Sequence, residues 1–190
     1  MDLKQIDASA WTTLSDAAAD PQAEFRYLTL CTVDAASRPQ ARTVVLRQVD
    51  SRLRTLTFHT DLRSPKWQEM SANPQVTVLG YALQTRLQLR LQGEVGLYAG
   101  ESDIADAAWS RLPARTRSTY TGGPPGEVSD SDEQAAVPPA DDDAGRQHFG
   151  VVVMRVSALD WYQLHRENNQ RALLIYATDG ALVSGQQITP

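Results

Sequence analysis

Two arginines five residues apart, Arg42 and Arg47, open the part of this chain where residue type and spacing suggest chemistry. The run ARTVVLRQVDSRLRTLTFHTDLRSPKWQEM spans residues 41–70. Residues 42–47 have strand composition with a cation at each end, and a second β-patterned run, residues 54–60, ends in Phe58-His59-Thr60. Ser64-Pro65-Lys66 then has the makeup of a helix start. Ser64 suits the cap and Pro65 the first helical position. Lys66 in that first turn lies beside the positive end of the helix, a conflict that a bound anion removes. Arg42, Thr60, Ser64 and Lys66, with free first-turn N–H groups, could together surround a phosphate. Strand alternation sends Arg42, Val44 and Leu46 to one side and Thr43, Val45 and Arg47 to the other. The two arginines therefore serve one ligand only through twist or a bulge, or they serve different parts of it. A solvated arginine at each strand end is the plainer alternative.

This ordered set resembles the pyridoxamine 5'-phosphate oxidase-like family, the FMN-binding split barrels. The family pattern is Arg-x-x-x-x-(Lys/Arg) on one strand, aromatic-(Tyr/His/x)-Thr on the next, and Ser-x-Lys opening a helix. Here those are Arg42 with Arg47, Phe58-His59-Thr60 and Ser64-Pro65-Lys66. The resemblance covers residues 24–98 well and 149–177 loosely. It implies a mainly β chain with flanking helices: a six-stranded antiparallel split β-barrel that forms a homodimer, with FMN in a groove between subunits. The cofactor contacts it implies come from Arg42, Thr43, Val44, Leu46, Arg47, His59, Thr60, Ser64 and Lys66. Gln88 matches a flavin-contacting Gln five residues before a Gly, here Gly93. The family's last hairpin supplies an aromatic and an Arg; Tyr162 and Arg171 match best, with Trp161 a rival one residue away. Arg47, Arg115 and Arg166 are the implied substrate contacts.

The implied activity is that of an FMN-dependent oxidoreductase acting on a small molecule. The flavin carries the redox chemistry, so the protein needs no nucleophile of its own. Genuine pyridoxamine 5'-phosphate oxidases carry Arg-x-His-x-Arg near the C-terminus. With Arg171 as the last Arg, the other two positions hold Glu167 and Asn169, unless a one-residue gap slides Arg166 into place. Pro65 stands where the family has Arg before the helix Lys, and the usual Tyr of the substrate-side helix is missing. The expectation is a related flavoprotein of unassigned substrate. A genuine oxidase, or a non-catalytic flavin-binding or sensor dimer, is the alternative.

The elements that must position these residues follow from the pattern. Residues 9–19 read as a helix capped by Ser9, and residues 25–33 as a first strand. After the helix at 65–72 come strands at 75–83 and 85–98, with Gly93 permitting a bulge. A helix at 101–111 leads into a basic stretch holding Arg111, Arg115 and Arg117. Residues 121–146, rich in Gly, Pro, Ser, Asp and Ala, read as a long mobile loop in an otherwise single domain. A strand at 149–156 continues after a kink as 159–164, and 172–178 is the last strand. Six or seven β runs without a βαβ rhythm, and no phosphate-binding glycine motif, exclude a Rossmann fold and a P-loop.

Composition narrows the partners. The 190 residues carry a net charge of −5, yet residues 126–146 alone carry −6, so the remainder is +1. A nearly neutral body argues against a nucleic-acid surface. No apolar run reaches membrane-spanning length and no signal-peptide pattern opens the chain, so the expected compartment is the cytoplasm. The single cysteine, Cys31, allows no internal disulfide and is expected to be a buried thiol. The three histidines, His59, His148 and His165, lack metal-ligand spacing, so no metal site is expected.

Overall fold

Asp2 and Gln5 begin the fold. The Asp2 carboxylate accepts a hydrogen bond from the Gln5 N–H at 2.8 Å, and the Gln5 side chain accepts one from the Asp2 N–H at 2.9 Å. This reciprocal cap starts helix α1 at Leu3–Ala19, six residues before the Ser9 start expected from the sequence. Ile6, Ala10, Trp11, Leu14 and Ala17 form its buried stripe. A polar clasp fixes that stripe to the sheet. The Trp11 indole donates to Tyr176 Oη at 3.0 Å, Tyr176 Oη donates to Asp7 at 2.7 Å, and Arg54 donates to Asp7 at 2.6 Å. The Arg54 guanidinium lies 5.0 Å from the ring centroids of both Trp11 and Tyr176. Trp11→Phe loses one buried hydrogen bond and part of a fully buried ring. It is expected to cost about 2–3 kcal/mol, read as a lower urea midpoint at unchanged slope.

The computed structural model describes residues 1–127 and 143–190. It holds nine antiparallel strands: β1 Tyr27–Val33, β2 Pro39–Val45, β3 Gln48–Asp50, β4 Thr55–Asp61, β5 Gln75–Ala82, β6 Leu87–Ala99, β7 Phe149–Gln163, β8 Gln170–Tyr176 and β9 Leu182–Gln187. The sheet runs β2-β1-β5-β6-β7-β4-β3, with β8 also on β7 and β9 on β8. The expected mainly β architecture with flanking helices is present, but the sheet is open and nine-stranded rather than a six-stranded barrel. The difference has a simple origin. The 15-residue β7 pairs with β6 along one edge, while its other edge is shared in turn by β4 and β8. Short β3 and the C-terminal β9 then extend the two branches.

Ser157 is the extra residue of a bulge in β7: Gln92 pairs with Ala158 and Gly93 with Val156. The buried positions of β7 therefore switch from Val152, Met154 and Val156 to Leu159 and Trp161. This is the kink that the sequence pattern marked. A Cβ on Gly93 would lie 2.0 Å from the Arg155 carbonyl oxygen, so only glycine lets the strands close there.

Helix α2, Pro65–Ala72, sends Met70 into the main core. Helix α3, Asp103–Ser110, covers the outer face of β7 through a second cluster of Trp109, Leu112, Tyr120, Phe149 and Val151, and the short, exposed α4, Ala114–Arg117, links Leu112 to Tyr120. Cys31 is half-buried on the outer face of β1, not buried as expected, because the core face of that strand is Leu28, Leu30 and Thr32. The proposed acidic loop falls largely on residues 128–142, outside the described residues. Its flanks are held: Arg63 donates to the Gly122 carbonyl at 2.9 Å and the Trp109 indole to Asp143 at 2.8 Å. No helix among the described residues is long and apolar enough to cross a membrane. Nor do the described residues contain a group of three or more His, Cys, Asp or Glu able to hold a metal ion.

Candidate functional site

Arg42 pairs across the sheet with Leu30, a core residue, so its side chain enters the inner face at one end of the sheet. There it donates to Thr32 Oγ1 and, at 2.8 Å, to Glu69 of α2. Thr32 also donates to Glu69. Lys66 lies one helical turn before Glu69. Burial, and then the nearby Arg42 guanidinium, push the Lys66 ammonium below its ordinary value, while Asp61 and Glu69 oppose that shift. Ser64 stands at the cap position of α2 but does not cap it with its side chain. Its hydroxyl donates to the Asp61 carbonyl at 2.6 Å and lies 3.3 Å from Thr60 Oγ1. The corner thus gathers Arg42, Lys66, Thr60 and Ser64 around a helix start that no side chain caps. Burial raises the adjacent Asp61 carboxyl, but Arg63 overrides this with paired hydrogen bonds and holds it below the usual carboxylate range.

Arg47 lies elsewhere. β2 ends at Val45. Leu46 is fully buried and its N–H donates to the Arg26 carbonyl at 2.9 Å; the Arg47 N–H donates to the Thr57 carbonyl at 2.9 Å. The Arg47 side chain therefore leaves on the outer face. It lines a cleft of about 580 Å³ with Arg26, Thr57, His59 and the facing side of α3. Arg42 and Arg47 do not converge in one chain, as strand alternation requires. The His59 ring packs edge-on against Phe149 at 5.0 Å. Burial, helped by Arg47, depresses its pKa from 6.5 to about 4, so it is neutral at pH 7. The unfolded chain takes up this proton as pH falls through 6.5, whereas the folded chain refuses it until about 4. The unfolded state binds more protons over that window, so stability drops as pH falls from about 6.5 to about 4. Thermal unfolding of His59→Gln is expected to lack about 1–2 kcal/mol of that pH dependence, the full shift being discounted for solvent in the open cleft.

Gln88, Tyr162 and Arg171 are neighbours on β6, β7 and β8. They share the outer face. Trp161 points the opposite way into the core. Arg171 lies 5.5 Å from the Tyr162 ring centroid and grips buried Asp160 with two hydrogen bonds of 2.9 and 2.7 Å. Arg90 adds a third at 2.8 Å. The Arg171 hydrogen bonds hold the Asp160 carboxyl below its ordinary range against burial, so this stability is present at neutral pH and lost as pH falls through the depressed value. Thr43 occupies the same outer face as Gln88, whereas Val44 and Leu46 are buried in the core and could meet a cofactor only through backbone. Arg115 is exposed on α4, and Arg166 is exposed in the β7–β8 loop.

Sequence reasoning missed Glu69, Asp160 and Arg26. Glu69 was signalled only by its three-residue spacing from Lys66, which puts both on one helix face. Asp160 was signalled by strand alternation with Tyr162. Nothing local marks Arg26.

A sequence model of the family described as Pyridoxamine 5'-phosphate oxidase, FMN-binding domain, matches residues 8–99. Over these residues, just under half its length, the chain is similar to the pyridoxamine 5'-phosphate oxidase-like family. The pyridoxine/pyridoxamine 5'-phosphate oxidase of Cupriavidus taiwanensis is 30% identical over 131 residues, covering 61% of this chain and 60% of that protein. The enzyme of the same name from Burkholderia cenocepacia is 27% identical over 92% of this chain and 90% of its own length. This chain spans 42–60% of the length of the first five curated relatives it matches. Among solved structures, a pyridoxamine 5'-phosphate oxidase-related, FMN-binding protein from Nostoc punctiforme superposes with a TM-score of 0.82 at 25% identity, over 100% of both chains. PhzG from Burkholderia lata, solved with tetrahydrophenazine-1-carboxylic acid, shares the fold at a TM-score of 0.76 and 18% identity, over 96% of this chain and 90% of that one.

Proposed function

We propose that this chain is an FMN-dependent oxidoreductase of that family, working as a homodimer on a small molecule other than pyridoxamine 5'-phosphate. The observation that carries the reading is the corner at the start of α2. Two cations face each other there, Lys66 makes no ion pair with any described residue, and the first turn has no side-chain cap. An anion with several acceptor oxygens relieves that repulsion and takes up the Lys66 N–H, the one left free where Pro65 has none and the Trp67 N–H donates to the Ser64 carbonyl at 3.0 Å. A phosphate fits these residues. Arg42 and Lys66 would hold its charge, with the Thr60 and Ser64 hydroxyls turning from the Asp61 carbonyl to meet it. When bound, FMN would supply the hydride and electron transfer. The protein's part is to fix and orient it. His59, neutral at pH 7, can offer a hydrogen bond without adding charge.

The homodimer rests on topology. Arg42 is on the inner face, while Gln88, Tyr162 and Arg171 are on the outer face of the same sheet. They can meet at one ligand only if a second copy brings its outer face to the corner of the first. That outer side also exposes Tyr27 (58%) and Tyr81 (46%), with Leu83 (75%) at the adjoining turn, apolar surface that a partner would cover. Mass analysis of the released cofactor tests the reading. One FMN per chain is expected; FAD or haem in its place would overturn it.

A further inference from the structure

We propose that the cleft between α3 and the Arg26–Arg47 pair binds a hydrophobic carboxylate: one anionic head on an apolar body. Only the word substrate for this occupant rests on the flavin reading above; the binding itself does not.

Among the described residues eight arginines form ion pairs: Arg38, Arg42, Arg54, Arg63, Arg90, Arg146, Arg155 and Arg171. The three that line this cleft, Arg26, Arg47 and Arg111, do not. Arg26 and Arg47 are brought together by the Leu46–Arg26 backbone hydrogen bond of 2.9 Å, and both line the cavity. Burial, and then Arg47, press the Arg26 guanidinium below its ordinary value. Arg26 donates one N–H to the Ala18 carbonyl. Arg47 Nε and His59 Nδ1 are buried with no hydrogen-bond partner. Two like charges with unused donors in a recess are an anion's complement, and paired guanidiniums match the two oxygens of a carboxylate.

The other walls define the body. Helix α3 turns Ile104, Ala107, Ala108 and Arg111 toward the cleft at helical spacing, while Ala105 and Trp109 face the second core. Leu112, Val151 and Val153 complete an apolar lining. The two small alanines leave room for a ring or an alkyl chain. Neutral His59 accepts or donates one hydrogen bond at the charged end.

The test is calorimetric titration of the purified, flavin-loaded protein with 1-naphthoate, against its neutral isostere 1-naphthalenemethanol. Naphthoate is expected to bind at least about tenfold more tightly than the alcohol. Arg26→Gln and Arg47→Gln are each expected to weaken naphthoate about tenfold and leave the alcohol unchanged. Ala107→Trp, at an exposed helix position, fills the cleft without touching the core and is expected to abolish binding of both; it keeps the test decisive if an arginine variant fails to fold. Equal affinity for acid and alcohol, naphthoate binding indifferent to all three substitutions, or no binding at all would overturn the proposal. Flavin content of the same samples separates the two readings. Arginine-dependent naphthoate binding by protein that takes up no FMN would sink the flavin reading and keep this one, and FMN-bearing protein without such binding would do the reverse.

Discussion

Pyridoxamine 5'-phosphate will be oxidised at least about a hundredfold less efficiently by the flavin-loaded protein than by an enzyme built for that substrate. The substrate's phosphate is a dianion separate from the one on FMN and needs cations of its own. The β7–β8 loop, where genuine oxidases place Arg and His, here exposes Glu167. Asn169 is occupied: its Oδ1 accepts from the His165 N–H at 2.9 Å and its amide donates to Tyr162 Oη at 3.4 Å. Arg171 is committed to Asp160. A carboxylate in place of a cation turns attraction into repulsion, which in a partly desolvated cleft is worth several kcal/mol. Following pyridoxal 5'-phosphate and peroxide under oxygen is the assay. Turnover at about one per second or faster would contradict the expectation and point to Arg166 as the missing charge.

Arg42→Ala will weaken FMN binding more than Lys66→Ala, about a hundredfold against about tenfold. Arg42 and Glu69 are joined at 2.8 Å. Removing Arg42 deletes one phosphate contact and also frees Glu69, one turn along α2, to neutralise Lys66. Removing Lys66 deletes its contact alone, since Arg42 stays held by Thr32 and Glu69. The double variant Arg42→Ala/Glu69→Gln should therefore recover part of the loss. Flavin titration of apoprotein reads all three. Equal losses in the single variants, with no recovery in the double, would show that Glu69 plays no part in tuning the corner.

Local signals in the sequence reached far in some places and failed in others for identifiable reasons. Alternation over residues 42–47 placed Arg42 and Arg47 on opposite faces, because a strand's side-chain period is short and tolerates little error. The break between Val156 and Leu159 was visible as a slip of that period, and the Ser157 bulge is its cause. The start of α1 was misread because Ser9 is a good cap in isolation, whereas the capping box at Asp2 and Gln5 lies upstream of the apolar stripe. Cys31 sits in an apolar run, but only alternate residues of that run face the core. The count of strands failed for a topological reason: that β7 serves two strands along one edge depends on pairings between residues far apart in sequence. The same holds for the site. Arg42 with Glu69, Arg171 with Asp160, and Arg26 with Arg47 are tertiary pairings, and no spacing along the chain announces them.

The central claim is that the corner of Arg42, Lys66, Thr60 and Ser64 holds the FMN phosphate. Titrating apoprotein with FMN and with riboflavin, the same ring system without the phosphate, tests it most directly. The account predicts that the wild-type protein binds FMN at least about a hundredfold more tightly than riboflavin, and that Arg42→Ala removes most of this preference while riboflavin affinity stays constant. Riboflavin bound as tightly as FMN, or a preference for FMN that survives in both Arg42→Ala and Lys66→Ala, would contradict it.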